Sequence, residues 1–504
     1  MPTQPIDPAS AAVPGGSADP LSSDAIFRTI EDLVAFAPRY TGTPGGNRAA
    51  EYVADRLRRA GVPEVRMMTE PSYAWRADRC ALEVDGQVIE CSPIQHSGTR
   101  SEDQTGLLVA APVTGRIIDI RDGEVPANAR GMIILFDLVF ETPLKKMLAI
   151  TEHRYDPQRL FDREDVRESR NPYQTSMARI MTAAAEAGAV GAIGVLRDYP
   201  ESVDYRNEYI DDAPMRIPGT WITRDTGARL RAQLTPESTA TIDLLAHRDP
   251  VTSQTVIGIL PGRSTDTVMI QSHHDSVTAG AVEDASGTAE VIALAEEFAA
   301  RSQPREKTLM FVTFDTHFTG YHAHRRFTHD YILRKEREYD IVFNVTIEHV
   351  ARRATRGPGG GFVTTDETEP RGIFENLNLC WKWRMAKLLR KHQMEGTALL
   401  FGTPFEFFGD GMPTDAAYIF AAGIPAVSLI SGPLYLYDEQ DTLDKIDRPQ
   451  LQAVAHFFTE LIERADPANP AWIGLIPRPL RRILPRLKWV TDPIPAPSTP
   501  QEES

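Results

Sequence analysis

Three apolar runs, Val268–Ile270, Leu309–Phe314 and Ile341–Ile347, each end in a polar loop that carries histidine or carboxylate. The loops are His273-His274-Asp275, Asp315-Thr316-His317 and Glu348-His349. Short continuous apolar runs rich in β-branched and aromatic residues read as buried strands. After the first loop comes an amphipathic helix, roughly Thr288 to Ala300, with Val291, Ile292, Ala295 and Phe298 on one face. Strands alternating with helices predict an α/β fold around a mostly parallel sheet, and such sheets hold their chemistry at the carboxyl ends of the strands. Three strand ends therefore deliver imidazoles and carboxylates to one edge.

A single His-x-Asp is more often a hydrogen-bonded pair than a metal site. Clustering decides against that here, because seven of the twelve histidines lie between His273 and His349. Imidazole with carboxylate is a ligand set for zinc, iron or manganese.

A chain of 504 residues should hold two or three domains. No window of 18 or more apolar residues exists, so no spanning helix is expected. A formal charge of −16 argues against a nucleic-acid partner, which needs a basic face. Cys80, Cys91 and Cys380 are too few and too scattered for a disulfide framework or a thiolate zinc site. Residues 1–23, rich in Pro, Ala, Gly and Ser, are expected to be disordered. They lack the basic start and apolar core of a secretory signal, so the default location is cytoplasmic.

Helical spacing from Ile26 to Ala37 is broken by Pro38-Arg39-Tyr40-Thr41-Gly42-Thr43-Pro44-Gly45-Gly46, and a second helix runs from Asn47 to Ala60. Residues 96–245 read as a separate unit, with buried strands at 131–136 and 189–196 and a helix from Met177 to Ala187. Glu152 to Asn171 reads as a polar surface excursion, and Gly357-Pro358-Gly359-Gly360-Gly361 as a flexible loop. His322, His324 and His329 are expected at the surface. Tyr435 and Tyr437 are candidates for a pocket wall, and Trp381 and Trp383 for packing. In 476–490, five cationic side chains among leucines, interrupted by Pro477, Pro479 and Pro485, predict a docked strap and no membrane anchor.

With these residues in hand, the chain resembles the M28 family of zinc aminopeptidases. Arg39-Tyr40-Thr41-Gly42-Thr43-Pro44-Gly45 is similar to the family's N-terminal turn, and His273-x-Asp275 with Ala285-Ser286-Gly287 to its first metal motif. Thr308–Gly320, Gly423-Ile424-Pro425-Ala426-Val427 and Asp441-Thr442-Leu443-Asp444-Lys445-Ile446 resemble later landmarks. The resemblance implies a mixed, mostly parallel sheet flanked by helices over 24–95 and 246–466. It also implies a protease-associated-like α/β insert at 96–245 and a C-terminal extension at 467–504.

The same resemblance implies a reduced metal site. Where the family has a bridging Asp and a strand-end Asp, this chain has Glu283 and Glu348, so His273, Glu283 and Glu348 are the expected metal ligands. The family's adjacent Glu pair reads His317-Phe318, and its last ligand His reads Tyr437. Phe cannot ligate and a neutral Tyr does so poorly. One divalent ion per chain is therefore expected, zinc before iron or manganese. His317 stands as proton acceptor and Asp275 as the residue orienting His273; His349 is an additional candidate ligand.

Three functions fit. One is a metal-dependent hydrolase acting on an amide or peptide-like bond. Another is a non-hydrolytic mononuclear metalloenzyme, such as an Fe(II)-dependent oxygenase built on His273, His317 and a carboxylate. The third is a catalytically inactive scaffold. A small-molecule or peptide-like substrate is expected, with no membrane partner; self-association into a homo-oligomer stays open.

Overall fold

The computed structural model describes residues 19–98, 106–109, 112–141, 143–206, 215–334, 336–403 and 412–481. In chain order the strands are β1 (Glu64–Val84), β2 (Gln87–Ile89), β3 (Ser92–Pro93), β4 (Gly106–Val109), β5 (Val113–Arg121), β6 (Ile133–Asp137), β7 (Thr151–Tyr155), β8 (Gly191–Leu196), β9 (Gly219–Thr223), β10 (Thr239–Leu260), β11 (Asp266–His273), β12 (Thr308–Phe314), β13 (Asp340–Ile347), β14 (Arg352–Arg356), β15 (Phe362–Thr368), β16 (Arg371–Glu375), β17 (Thr397–Phe401) and β18 (Ala426–Ser431).

The main sheet runs β10-β12-β11-β13-β18-β16-β17-β7. Its centre is parallel: β11 pairs with β12 and with β13, and β13 with β18. This is the α/β architecture expected from the alternation of strands and helices. Alternate residues of the central strands feed opposite faces, as a two-residue period requires. Val268, Ile270, Leu309, Phe311, Phe343 and Val345 enter one core. Met269, Met310, Val312, Phe314 and Ile341 enter the other. Helices Ser23–Val34, Pro44–Arg59, Gly287–Ala300 and Arg448–Ala465 supply Ile30, Val53, Ile292 and Val454 to the first core. Ala323, Phe327, Ile419 and Phe420 close the second.

The insert carries its own sheet, β5-β6-β8-β9, parallel throughout. Its boundary differs from the sequence expectation in two ways. β10 runs unbroken across position 245 and pairs with β5 at one end and β12 at the other, so one long strand belongs to both sheets. β7, inside the supposed polar excursion, pairs antiparallel with β17 at the edge of the main sheet. In the same stretch Leu160, Phe161 and Val166 are buried. Scattered single apolar residues among charges carry no periodic signal, yet Phe161 joins the second core.

Three smaller expectations also change. Leu21 is buried and Ser22 caps the first helix, so order begins at least by residue 19; residues 1–18 lie outside the described residues. Gly357–Gly361 is a tight turn joining β14 to β15, with Gly357 N donating to Gly361 O at 2.8 Å. His324 is buried, stacked on Phe314 at 4.0 Å between ring centroids. In the C-terminal extension Ile473 is buried, Arg478 pairs with Asp340, and Arg481 packs against Gly423. The strap residues 482–490 lie outside the described residues.

Candidate metal centre

The site grows from five chain segments, three of them at the carboxyl ends of parallel strands. His273 is the last residue of β11, level with Phe314 of β12. His317 opens the turn after β12, and Glu348-His349 follows β13. Thr414-Asp415 leads into the short helix Ala417–Ala421. Glu283 sits in the turn Ala281–Ser286 that precedes helix Gly287–Ala300.

The Glu283 turn is held by acids that are not themselves in the cluster. Asp441 accepts from Val282 N and Glu283 N, both at 2.9 Å. Asp284 accepts from Gly287 N at 3.0 Å, His349 N at 3.2 Å and Ser272 Oγ at 2.6 Å. Gly287 is required by close approach: a Cβ there would lie 2.1 Å from Ile347 O. Arg39, fully buried, donates to His274 O at 2.9 Å, Ala279 O at 2.9 Å and Gly280 O at 2.8 Å. Thr41 Oγ1 donates to Asp315 Oδ1 at 2.7 Å.

These contacts gather donor atoms around one point. His273 Nε2 and His317 Nε2 each lie 3.3 Å from Glu283 Oε1. The two imidazoles stack at 3.9 Å. His317 Nδ1 is 3.1 Å from Asp415 Oδ1, and His349 Nε2 is 2.5 Å from Glu283 Oε2. His273, His317 and Asp415 each offer a ligand atom, all within 4.8 Å of one another. His273 Nδ1 faces the Asp275 backbone carbonyl at 3.0 Å and its carboxylate at 3.3 Å, which fixes the ring.

The expected ligands and catalytic residues are thus distributed unevenly. His273, Glu283 and His317 come together and Asp275 stands behind His273. Glu348 does not join them among the described contacts. Its carboxylate accepts from Thr414 Oγ1 at 2.8 Å and Ser428 Oγ at 3.1 Å. Burial, with Asp415 nearby, pushes its pKa well above the carboxylate range. Asp415, not considered a ligand from the sequence, takes a place in the cluster. Thr414-Asp415-Ala416 does not directly follow an apolar run, so the strand-end pattern that singles out the other residues does not reach it. His349 and His324 reach the same cluster, the latter at 3.7 Å from Asp415.

Charge sorts the cluster. Burial opposes ionisation at every member, yet Asp415, Asp275 and Glu283 together raise His273 well above the usual imidazole value. Against the same burial, Glu283 and Asp284 raise His349 to about 10. Glu283 and Asp415, despite burial, are held below the usual carboxylate range by the imidazoles around them. The residues fit a cation. His273 Nε2, both Glu283 carboxylate oxygens and both Asp415 oxygens are buried and lack aligned hydrogen-bond partners. Buried polar atoms left so are costly unless an ion satisfies them.

Residues 255–462 match the sequence model of peptidase family M28. The likeness in sequence covers that segment. The chain's fold is shared with solved aminopeptidase structures at low sequence identity. A peptidase M28 precursor from Shewanella amazonensis SB2B is 19% identical with a TM-score of 0.62, over 90% of this chain and 95% of that one. A zinc aminopeptidase from Bacillus subtilis is 18% identical with a TM-score of 0.58, over 91% and 99%. An aminopeptidase from Aneurinibacillus sp. strain AM-1 is 19% identical with a TM-score of 0.57, over 91% and 98%. No curated protein sequence matches the chain significantly.

One acid beside the main sheet lends itself to a pH test. Glu369, between β15 and β16, is buried, and burial pushes its carboxyl up to about 8 against the pull of Arg353. Its folded pKa lies above the unfolded value of about 4.3. The neutral form is therefore favoured by folding. That contribution is complete below about pH 4 and is lost as pH rises through about 8. Glu369→Gln cannot ionise, so its stability should fall less than the parent's between about pH 5 and 8. Urea unfolding across that range measures the slope, and a parent-like slope in the variant contradicts the assignment.

Proposed function

We propose that the protein is a metal-dependent hydrolase of an amide or peptide-like bond, working with one divalent ion held by His273, His317 and Asp415. The observation that carries this is the buried convergence of those three side chains, with Glu283 against both imidazoles. When bound, the ion would polarise a carbonyl and lower the pKa of a water molecule. Glu283, ionised because its imidazole neighbours hold its pKa low, is the group placed to accept a proton. His349 Nε2 lies 2.5 Å from Glu283 Oε2 and donates to that carboxylate, while its Nδ1 donates to Ser431 O at 2.7 Å, which fixes the ring. This moves the acceptor role from His317 to Glu283, because His317 is drawn into the ligand group.

A single ion is favoured by the aromatic pair beside the cluster. Phe318 and Tyr437 are both buried and meet edge to face at 5.9 Å, at the positions where the family would have a second metal's ligands. Tyr173 and Ser431, which contact His349, also line a recess with Met147, Phe161, Leu400 and Ile430. An apolar substrate side chain suits that wall. Elemental analysis of protein purified without a metal-chelating tag tests the reading. The expected content is near one ion per chain; two tightly bound ions, or none under any loading condition, would refute it. Amino-acid anilides should be poor substrates, because the family's Glu pair is replaced by His317 and Phe318.

Two imidazoles and one carboxylate also make the ligand set of non-haem Fe(II) oxygenases. Retention of iron over zinc, with oxygen consumption dependent on Fe(II), would favour that second reading.

A further inference from the structure

Asp85-Gly86 joins β1 to β2, with φ of 48° at Asp85 and 79° at Gly86. Two consecutive positive φ values are the mark of the two-residue type I′ hairpin, which matches strand twist and sets register. That register pairs Val84 with Gln87, Glu83 with Val88 and Leu82 with Ile89. Continued outward by two residues on each strand, it sets Cys80 opposite Cys91. Directly opposed residues of an antiparallel pair have Cα atoms about 4.5–5.5 Å apart, inside the roughly 4.4–6.8 Å that a disulfide spans. The sulfurs agree: Cys80 Sγ and Cys91 Sγ are 3.8 Å apart, both half-buried as free thiols. The sequence expectation of scattered cysteines is corrected for this pair, while Cys380 lies exposed on helix Leu379–Lys391.

The position gives the pair something to fasten. Cys80 lies on β1 opposite Leu244 of β10, the strand common to both sheets. Cys91 immediately precedes β3, which pairs with β9 at the edge of the insert sheet.

We propose that Cys80 and Cys91 form a reversible dithiol–disulfide site that takes a small-molecule disulfide of the glutathione class as oxidant and, once oxidised, staples the entry of the insert to the long β1–β10 ribbon. The Cys91 thiol, after losing its proton, attacks one sulfur of the oxidant, forming a mixed disulfide and releasing one thiolate. The deprotonated Cys80 sulfur then attacks Cys91 Sγ, forming the internal bond and releasing the second thiolate. Two protein thiols lose two electrons and two protons, and one external disulfide becomes two thiols. The shared hydrogen bond supports this order, since it lowers the Cys91 pKa and raises that of Cys80.

The test equilibrates the full chain in glutathione buffers of rising oxidised fraction, followed by alkylation and peptide mapping. A peptide linking Cys80 to Cys91 within one chain is expected, with Cys380 left alkylatable or glutathionylated. The oxidised parent should melt several degrees higher, and dithiothreitol should reverse the shift. Cys80→Ser and Cys91→Ser should each abolish both the link and the shift without altering metal content. The proposal is overturned if both thiols stay alkylatable where Cys380 is already glutathionylated. It is likewise overturned if the link forms only between chains, or forms without raising the melting temperature.

Discussion

Replacing His273 with alanine should strip the protein of its metal. The imidazole is fully buried, lies against Glu283 and His317, and belongs to the group whose ligand atoms lie within 4.8 Å of one another. Its loss leaves the carboxylates without one of their two neutral nitrogen partners for an ion. Affinity should fall at least about 100-fold, beyond the roughly 10–100-fold typical of a residue that only orients a ligand. Asp275→Asn, which alters the group behind His273 Nδ1, should fall within that smaller range. Glu348→Gln should keep its metal, because its carboxylate is engaged by the hydroxyls of Thr414 and Ser428. Metal titration against a competing chelator ranks the three. A Glu348→Gln protein that loses metal as His273→Ala does would return Glu348 to the ligand set and remove Asp415 from it.

Arg39→Met should be the most damaging single change away from the cluster. Burial pulls this guanidinium down to about 10, but Asp441, Asp275 and Asp284 keep it charged at neutral pH. It donates to backbone carbonyls at His274, Ala279, Gly280 and Leu33, binding the first helix to the loop between His273 and Glu283. Methionine fills much of the volume and satisfies none of those carbonyls. Removing one partner from a buried charged network costs about 3–5 kcal/mol, a large share of the stability of an ordinary domain. Urea denaturation should show the loss, and metal content should fall in the folded fraction. A loss under about 1 kcal/mol, the range of an exposed ion pair, would mean that the loop holds its shape without Arg39.

The two substitutions separate what was legible in the chain from what was not. The strands β11, β12 and β13 were visible as apolar runs because they are buried on both faces, which leaves an unbroken hydrophobic signal. Arg39 and Asp441 stood out as parts of short motifs, but their task of holding the Glu283 turn was not readable from either motif. The Cys80–Cys91 pairing was readable in principle, since Asp85-Gly86 is a strong hairpin signal and register follows from it. A count of three cysteines carries no register; only their placement across the hairpin brings two of them together. β7 gave no warning, because an edge strand with one solvated face has only a weak, broken alternation.

By itself the sequence determined the α/β class, the edge at which the imidazoles gather, and the position of His273 with Asp275 close behind it. Each rests on local information: burial on both faces marks a strand, and the residue after a strand must emerge at its end. Tertiary structure alone decided which carboxylates face the imidazoles. Glu348 and Asp415 lie at the same sheet edge, 67 residues apart in the chain. One is turned into Thr414 and Ser428 and its pKa is pushed up, while the other is turned toward His317 and its pKa is held down. That choice depends on side-chain direction and on the balance between burial and neighbouring charge, neither of which exists until the loops have packed.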